Sequence, residues 1–174
     1  KVYHKIKLIP FGEGLPFGPL NSFLSQYIQN ISYFAQGDQY TLFETSEGVP
    51  FTAAICYEIL FSSFIREYLN SVEKHPHFIV NLTNDSWYGD TSEPLQHLFL
   101  AKWRALEFQL PIVRMTNTGV SSVIYTDGSE SGRLQVGEKD FLDVSLKNTG
   151  KNRTLFQQWG IWGTLIIFAV LFLF

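Results

Sequence analysis

Apolar residues follow two spacings along the chain, and the spacing changes from segment to segment. A period of two, or a short apolar run, predicts a β-strand, whereas apolar residues three and four apart predict a helix. The pattern predicts strands over 1–9, 40–44, 51–56, 78–82, 111–115, 120–126, 132–136 and 141–146. It predicts helices over 20–31, 58–69 and 95–109. Strands interleaved with helices indicate an α/β fold.

The C-terminal segment differs from the rest, because residues 154–174 carry no charge. We predict a transmembrane helix over 155–174, after a folded domain over 1–150. The sixteen residues from Trp159 onward cover only about 24 Å as a helix, against roughly 30 Å of bilayer hydrocarbon, so the helix is expected to be truncated. Trp159 and Trp162 fit an interfacial aromatic belt. A buried core helix or a terminal strand is the alternative.

Composition narrows the class of protein. A length of 174 residues suits one domain, and 45% apolar against 17% charged residues supports a folded core. The net charge of −3, without a long basic run, gives no support to nucleic-acid binding. Cys56 is the single cysteine, which excludes an internal disulfide. The chain begins without Met inside a predicted strand, so we expect the N-terminal part of a longer protein to be missing.

Cys56 lies where a predicted strand ends and a predicted helix begins. At such a junction the backbone N–H groups and the dipole of the helix favour the thiolate over the thiol. The thiolate is the nucleophile, so covalent acyl chemistry is one interpretation of this position. A small apolar residue buried at a strand end is the other.

Lys5 and Glu13 are the next candidates for chemistry. Lys5 and Lys7 share one face of the predicted first strand, and a buried ammonium needs a carboxylate or a developing oxyanion as its partner. Glu13 follows Pro10 and Gly12, so a stiff loop is expected to fix its position. Taken singly, each of these charges is equally explained as a solvated surface group.

A set of motifs, taken together, resembles the nitrilase (carbon–nitrogen hydrolase) superfamily, and its apolipoprotein N-acyltransferase branch fits best. The motifs occur in that family's order and spacing over roughly residues 1–145. They are Lys-x-x-Leu-x-Pro-Phe-Gly-Glu at 5–13, Cys-Tyr-Glu at 56–58, Asn-Leu-Thr-Asn-Asp-Ser-Trp-Tyr-Gly at 81–89, Pro-Leu-Gln-His at 94–97, Arg-Ala-Leu-Glu at 104–107 and Arg-Met-Thr-Asn-Thr-Gly at 114–119. The apolar C-terminal segment lies where that branch has its last membrane helix.

The resemblance implies both a fold and a set of site residues. The fold is the C-terminal part of a nitrilase-like αββα sandwich domain, over 1–150, followed by the transmembrane helix. Cys56 would be the nucleophile and Lys5 the ammonium that stabilises the oxyanion, with the backbone N–H of Tyr57 as the second donor. Glu13 and Glu58 would support the site by hydrogen bonding.

The reaction implied by the resemblance is acyl transfer between lipids. Cys56 would take an acyl chain from a phospholipid as a thioester and pass it to the N-terminal amine of a diacylglyceryl-cysteine on a lipoprotein. The location implied is the bacterial inner membrane, in a multi-pass protein whose catalytic domain faces the periplasm. Candidate acyl-contacting residues, each also explained by core packing, are Phe11, Leu15, Phe17, Trp87 and Tyr88.

The general base of the family is a glutamate upstream of the lysine strand, and no residue of this chain matches it. We therefore predict that the 174 residues alone are inactive. One alternative is a soluble amidase of the same superfamily, in which water replaces the amine and a small C–N bond is hydrolysed. The other is a catalytically dead, membrane-anchored binding module.

The remaining polar residues are predicted to be structural, and no cofactor is expected. The histidines do not have metal-ligand spacing, so no metal is expected either. Asn84, Asp85 and Asn117 are predicted to hold loops together. Arg104 and Glu107, three apart on a helix, are predicted to form a structural pair.

Overall fold

The computed structural model describes residues 1–28, 31–89, 91–146 and 152–172, and for Tyr88 the backbone alone. The strands are β1 (Phe43–Glu44), β2 (Pro50–Ile55), β3 (Phe78–Thr83), β4 (Ile112–Thr116), β5 (Ser121–Ile124) and β6 (Glu130–Leu134). The helices are α1 (Asn21–Leu24), α2 (Ser62–Ser71), α3 (Glu93–Phe108), α4 (Leu155–Trp159) and α5 (Ile161–Phe172). Single-turn 3₁₀ helices occupy Gly18–Leu20, Cys56–Leu60 and Asp85–Tyr88.

The strands form one mixed sheet in the order β1 to β6. Strands β2, β3 and β4 are parallel, and β1, β5 and β6 extend the sheet antiparallel. The two parallel connections each contain a helix, as parallel strands require. The predicted α/β class is therefore confirmed, and the sheet is mixed.

The core lies between one face of the sheet and helices α2 and α3. From the sheet it takes fully buried side chains such as Ala54, Ile79 and Ile112, and from α3 it takes Phe108. The amphipathic pattern of α2 places Phe64, Ile65, Tyr68 and Leu69 on the buried side. Because β2, β3 and β4 are parallel, their carboxyl ends meet at one edge of the sheet, where the polar loops begin.

The predicted strand over 1–9 is wrong, because none of these residues belongs to a strand of the sheet and the backbone bends at Lys7. Its backbone donors bind side chains instead of a sheet ladder. The N–H groups of Ile6 and Lys7 bind the carboxylate of Glu58, and that of Ile9 binds the carboxylate of Glu13. Alternation predicts an extended backbone, but it does not predict what the backbone pairs with.

The predicted helix over 58–69 is broken at Phe61, whose backbone is extended (φ −88°, ψ 93°). The carbonyl of Leu60 accepts from Arg104 Nη1 at 2.9 Å rather than from the next helical turn. The predicted helix over 20–31 is confined to α1 within the described residues, and residues 29–30 lie outside them. Phe23 is 57% exposed, so this segment lacks the packing that stabilises a short helix.

Residues 141–146 form no strand ladder, which corrects the strand predicted there. Leu142 and Val144 lie against Gly132, where a Cβ would meet them at 3.2–3.4 Å. The C-terminal segment is helical on both sides of Gly160, which has a φ of +58°. In the part of the chain that the structure describes, no helix is both long and apolar enough to cross a membrane.

Candidate active site

Cys56 occupies a tight turn at the carboxyl end of β2. It is the first residue of the 3₁₀ helix Cys56–Leu60, and its φ is +54°. Residues other than glycine rarely adopt this left-handed backbone conformation. Those that do are concentrated at functional sites. Cys56 is 8% exposed. The turn therefore presents a nearly buried thiol at the sheet edge, as the strand-to-helix junction predicted.

The thiol borders a cavity of about 500 Å³. Its polar lining consists of Cys56, Glu13 and Asn84. The remainder is largely apolar, supplied by Ile9, Pro10, Phe11, Gly12, Phe34, Ile55 and Trp87. This cavity combines a few polar groups with apolar walls, as is typical of a site for a small molecule or an acyl chain.

Lys5 does not line this cavity itself, but it is paired with Glu13, which does. Its ammonium donates to Glu13 Oε1 at 2.8 Å and also contacts Oε2. The side chains are 11% and 17% exposed, so the pair is largely screened from solvent. The loop that carries Glu13 is closed by backbone bonds from Phe11 N–H to the Gly14 carbonyl (2.8 Å) and from Glu13 N–H to the Ile9 carbonyl (2.9 Å). The predicted stiff loop is therefore present.

Glu58 is fully buried, and its carboxylate accepts four hydrogen bonds. One oxygen accepts from the backbone N–H groups of Ile6 and Lys7, at 2.6 and 2.9 Å. The other accepts from the N–H of Ile55 at 2.7 Å and from the Tyr3 hydroxyl at 2.9 Å. Burial and the neighbouring Glu58 carboxylate raise the pKa of Tyr3 above its usual range.

The bonds to Glu58 join the lysine segment to the cysteine turn. Lys5 lies between Tyr3 and Ile6, which both bind Glu58, and Glu58 lies two residues after Cys56. A buried carboxylate with every partner in place holds its surroundings in one geometry. The separation of Lys5 and Cys56 is therefore set by a side chain between them.

A buried ionic cluster beneath the cysteine turn is not predicted by the sequence analysis. Arg114, 1% exposed, donates from Nη1 to Asn81 Oδ1 at 2.7 Å and from Nη2 to Asp85 Oδ2 at 2.9 Å. His97 Nδ1 lies 3.4 Å from an oxygen of Asp85 and 3.4 Å from one of Glu93. The sequence does contain a signal for this cluster. Arg114 lies inside an apolar strand, and a buried guanidinium requires a carboxylate partner.

Asp85, Glu93 and His97 place potential metal-ligand atoms within 4.8 Å of one another. The Arg114 guanidinium already supplies a positive charge there, ion-paired with Asp85. We interpret the group as an arginine-centred ionic network. Burial lowers the pKa of His97, while the Asp85 carboxylate and the backbone of Cys56 oppose that change.

The network predicts a pH dependence of stability. Burial, and then repulsion from Asp85, raise the pKa of Glu93 from 4.5 to about 7, although Arg114 opposes them. Between these values the folded protein holds a proton that the unfolded chain has lost, so Glu93 lowers stability as pH rises through this window. Glu93→Gln is expected to remove that decrease. His97 and Asp85 have lowered pKa values and act in the opposite sense.

The measurement is the thermal midpoint of wild type and Glu93→Gln at several pH values from 4.5 to 8. Because His97 and Asp85 are present in both proteins but interact with Glu93, the difference between the two curves reports Glu93 together with its coupling to these two groups. The advantage of the variant should grow up to about pH 7 and then level off. A difference that does not change with pH would contradict the assignment.

The other predicted residues fall into separate groups. Phe11 and Trp87 line the cavity, and Phe17 packs edge-on against Phe11 with ring centroids 6.0 Å apart. Leu15 is buried and lines a neighbouring cavity together with Glu13. The side chain of Tyr88 lies outside the described part of the structure.

Two structural predictions are confirmed. Asn117 donates to Asn84 Oδ1 at 2.7 Å and accepts from the Asp85 backbone N–H at 3.1 Å, so these residues hold two loops together. Arg104 and Glu107 are joined at 2.7 Å.

Comparison with known proteins agrees with this geometry. The family model for carbon-nitrogen hydrolases matches residues 1–149. The chain therefore belongs to the carbon-nitrogen hydrolase family, the superfamily that its motifs indicated.

Similar full-length proteins carry a narrower name. The chain is 38% identical to the apolipoprotein N-acyltransferase of Bdellovibrio bacteriovorus, over 98% of this chain and 31% of that protein. It is 37% identical to the enzyme of the same name from Haemophilus ducreyi, over 92% of this chain and 31% of that protein. The chain thus spans about a third of the length of the curated relatives it matches.

Solved structures support the fold. An amidase from Nesterenkonia sp. AN1, with the acetamide moiety of fluoroacetamide added at its active-site cysteine, aligns with a TM-score of 0.54 at 19% identity. That alignment covers 79% of this chain and 46% of the amidase. Saccharomyces cerevisiae Nit3, a member of the nitrilase superfamily, aligns with a TM-score of 0.50 at 19% identity, over 61% of this chain and 40% of Nit3. The fold is therefore nitrilase-like.

Proposed function

We propose that the chain is the Cys56-bearing part of an apolipoprotein N-acyltransferase, which moves an acyl chain from a phospholipid to a lipoprotein. One observation carries the proposal. Cys56, whose backbone is strained, borders a largely apolar cavity, and Glu13, the ion-pair partner of Lys5, lines the same cavity. Relatives of that name at 30–38% identity add to its support.

In the first step the Cys56 thiolate attacks the carbonyl carbon of a phospholipid ester. The Lys5 ammonium and the Tyr57 backbone N–H stabilise the oxyanion of the tetrahedral intermediate. Collapse breaks the C–O bond, lysophospholipid leaves with a proton, and an acyl thioester remains on Cys56. The proposal places the base that takes the thiol proton in a part of the natural protein preceding Lys1.

In the second step the α-amine of a diacylglyceryl-cysteine attacks the thioester. The same oxyanion donors act again, the amine gives a proton to the base, and the C–S bond breaks, so that an amide and the Cys56 thiolate are formed. Glu13 positions Lys5 through their ion pair, and Glu58 fixes the lysine segment against the cysteine turn.

Lipid substrates suit the surface around the cavity. Phe11 and Trp87 line it and are 59% and 66% exposed. Phe17, 46% exposed, extends this apolar rim. Large exposed aromatic side chains beside a cavity are typical of a site that meets a membrane or an acyl chain. These side chains support a location at a membrane. From the likeness to bacterial apolipoprotein N-acyltransferases we further propose that this is the inner membrane, with the catalytic domain on the periplasmic side.

The tail over 155–174 is proposed to be the anchor. Helix α5 has no charged residue, and its side chains include Leu171 at 69% and Phe172 at 85% exposure. Its twelve residues cover about 18 Å, so a membrane helix would have to continue beyond them.

The second face of the sheet supports the finer fold assignment. Phe43, Phe51 and Phe78 stack across three strands there, with neighbouring centroids 5.3 and 5.0 Å apart. Leu82 and Met115 extend the same face, 44% and 53% exposed. An apolar sheet face normally packs against a second layer. We propose that the other sheet of an αββα sandwich covers it, so that residues 1–150 form the C-terminal part of that domain.

The test uses the protein in its full natural length, in detergent, with a phospholipid donor. Intact mass should show a single fatty-acyl adduct, which peptide mapping places on Cys56. The adduct should discharge to a diacylglyceryl lipopeptide amine much faster than to water. Discharge mainly to free fatty acid would favour an amidase-like hydrolase, and an absent adduct would refute the acyltransferase proposal.

A further inference from the structure

We propose that Asn81, held in place by Arg114, is a positioning residue that orients the Tyr57 backbone N–H for oxyanion binding. The inference deepens the proposed function and rests on it, since it assigns how the second oxyanion donor is preset. It comes from the buried network beneath the cysteine turn.

The side chain of Asn81 reaches the turn directly. It is fully buried, and its Nδ2 donates to the carbonyl of Ala54 at 3.1 Å and to that of Cys56 at 3.4 Å. Arg114 Nη1 donates to Asn81 Oδ1 at 2.7 Å. Because a guanidinium can only donate, the oxygen of the amide must face Arg114 and the NH₂ must face the two carbonyls. Arg114 therefore decides which way the amide points.

The Cys56 carbonyl and the Tyr57 N–H belong to the same peptide unit. In a planar trans peptide these two bonds point in opposite directions. Asn81 draws the carbonyl of Cys56 toward the buried side of the sheet. The N–H of Tyr57 consequently points away from Asn81 and the buried side of the sheet, and the peptide that carries it belongs to the turn whose Cys56 lines the cavity.

The network also accounts for the strained backbone of Cys56. A φ of +54° is unfavourable for a residue with a Cβ, and it persists only where neighbouring groups enforce it. Asn81 donates one hydrogen bond to the carbonyl of Ala54, near the end of the strand, and one to the carbonyl of Cys56, the strained residue itself. A fixed turn is what an oxyanion site needs, since its donors must be in place before charge develops.

The support behind Arg114 is equally rigid. Asp85, 1% exposed, takes the second arm of the guanidinium at 2.9 Å. Gly119 lies so close to Asp85 that an added Cβ would collide with the carboxylate oxygen. The Asp85 backbone is tied to Asn117 at 3.1 Å. The arginine thus has one available orientation, and it transmits that orientation to Asn81.

Asn81→Asp is the sharpest test, because the two side chains have the same shape. An oxygen still faces Arg114, so the pairing that supports folding remains. The second oxygen replaces the NH₂ and faces two carbonyls, so the grip on the Cys56 peptide is lost. Two rates are measured on the full-length protein: acylation of Cys56 by p-nitrophenyl butyrate, and alkylation of Cys56 by iodoacetamide. Acylation passes through an oxyanion, whereas alkylation at a saturated carbon does not.

Acylation should fall by roughly 10- to 100-fold, somewhat less than the loss of a whole oxyanion donor. Any effect of the new carboxylate on thiol ionisation lowers both rates alike, so alkylation should fall much less than acylation and the ratio of the two rates is the readout. Equal losses in both rates would show that Asn81 merely keeps the protein folded, and an unchanged acylation rate would also overturn the proposal. If wild type accepts the activated ester but not phospholipid, the proposed substrate fails while the ratio of rates still decides this inference.

A matched pair of arginine variants provides a second measurement. Arg114→Lys should lower the acylation-to-alkylation ratio, because an ammonium cannot bind Asn81 and Asp85 in parallel. Arg104→Lys is the control, because Arg104 is also a buried arginine. Its guanidinium binds the Leu60 carbonyl and the Glu107 carboxylate and does not contact Asn81. Its ratio should match wild type. A similar fall in both variants would contradict the specific role of the Asn81 contact.

Discussion

Cys56→Ala is expected to abolish formation of the acyl-enzyme and to lower acyl transfer by at least about 10³-fold. The reason is that a two-step reaction through a thioester has no route once the nucleophile is removed. The cavity and the Lys5–Glu13 pair remain in this variant, so lipid binding should persist. The measurement combines intact mass with transfer of a fluorescent acyl chain from phospholipid to a lipopeptide, in the full-length protein.

Cys56→Ser is the matched control for shape. It keeps a side chain of similar size at a φ of +54°, but a hydroxyl is far less ionised than a thiol at neutral pH. We expect a loss of at least about 10²-fold with unchanged folding. Substantial transfer by Cys56→Ala would show that another group is the nucleophile, and the thioester mechanism would have to be abandoned.

Glu58→Ala is expected to destabilise the protein by about 3–5 kcal/mol, the cost typical of removing one partner from a buried charged network. Three backbone N–H groups and the Tyr3 hydroxyl lose their acceptor at once, in a fully buried position. Each buried donor left without a partner costs about 1–3 kcal/mol, reduced where water enters. The thermal midpoint of the full-length protein in detergent should fall by about 10 °C.

Two further variants make the Glu58 result specific. Glu58→Gln fills the same space but turns an NH₂ toward at least one backbone N–H that can only donate, so it should also destabilise the protein, although less than alanine. Glu44→Ala removes an exposed carboxylate, 47% accessible and paired with Lys74, and should cost less than about 1 kcal/mol. If Glu58→Ala shifted the midpoint no more than Glu44→Ala, the clamp between the lysine segment and the cysteine turn would be disproved.

Much of the fold could be predicted because burial leaves a periodic mark. The strand pattern over 51–56, 78–82 and 111–115 matches β2, β3 and β4 to within about two residues, which is ordinary for boundaries. Helix α3 likewise follows its predicted span. Where the pattern had no core behind it, as in 20–31, the predicted helix was too long. Periodicity predicts which faces are buried, and short helices depend on that burial.

The sequence by itself determined the α/β class, the position of Cys56 at the end of a strand, and the stiff loop that carries Glu13. These are local properties, set by side-chain spacing and by proline and glycine geometry. Only the tertiary structure decided that backbone N–H groups within residues 1–9 bind the Glu58 carboxylate and do not pair with a neighbouring strand. It also decided that Arg114 joins Asn81 to Asp85. Such contacts join residues some 30 to 50 positions apart. A buried donor or charge requires a partner, but the sequence around it does not say which distant group the fold will supply.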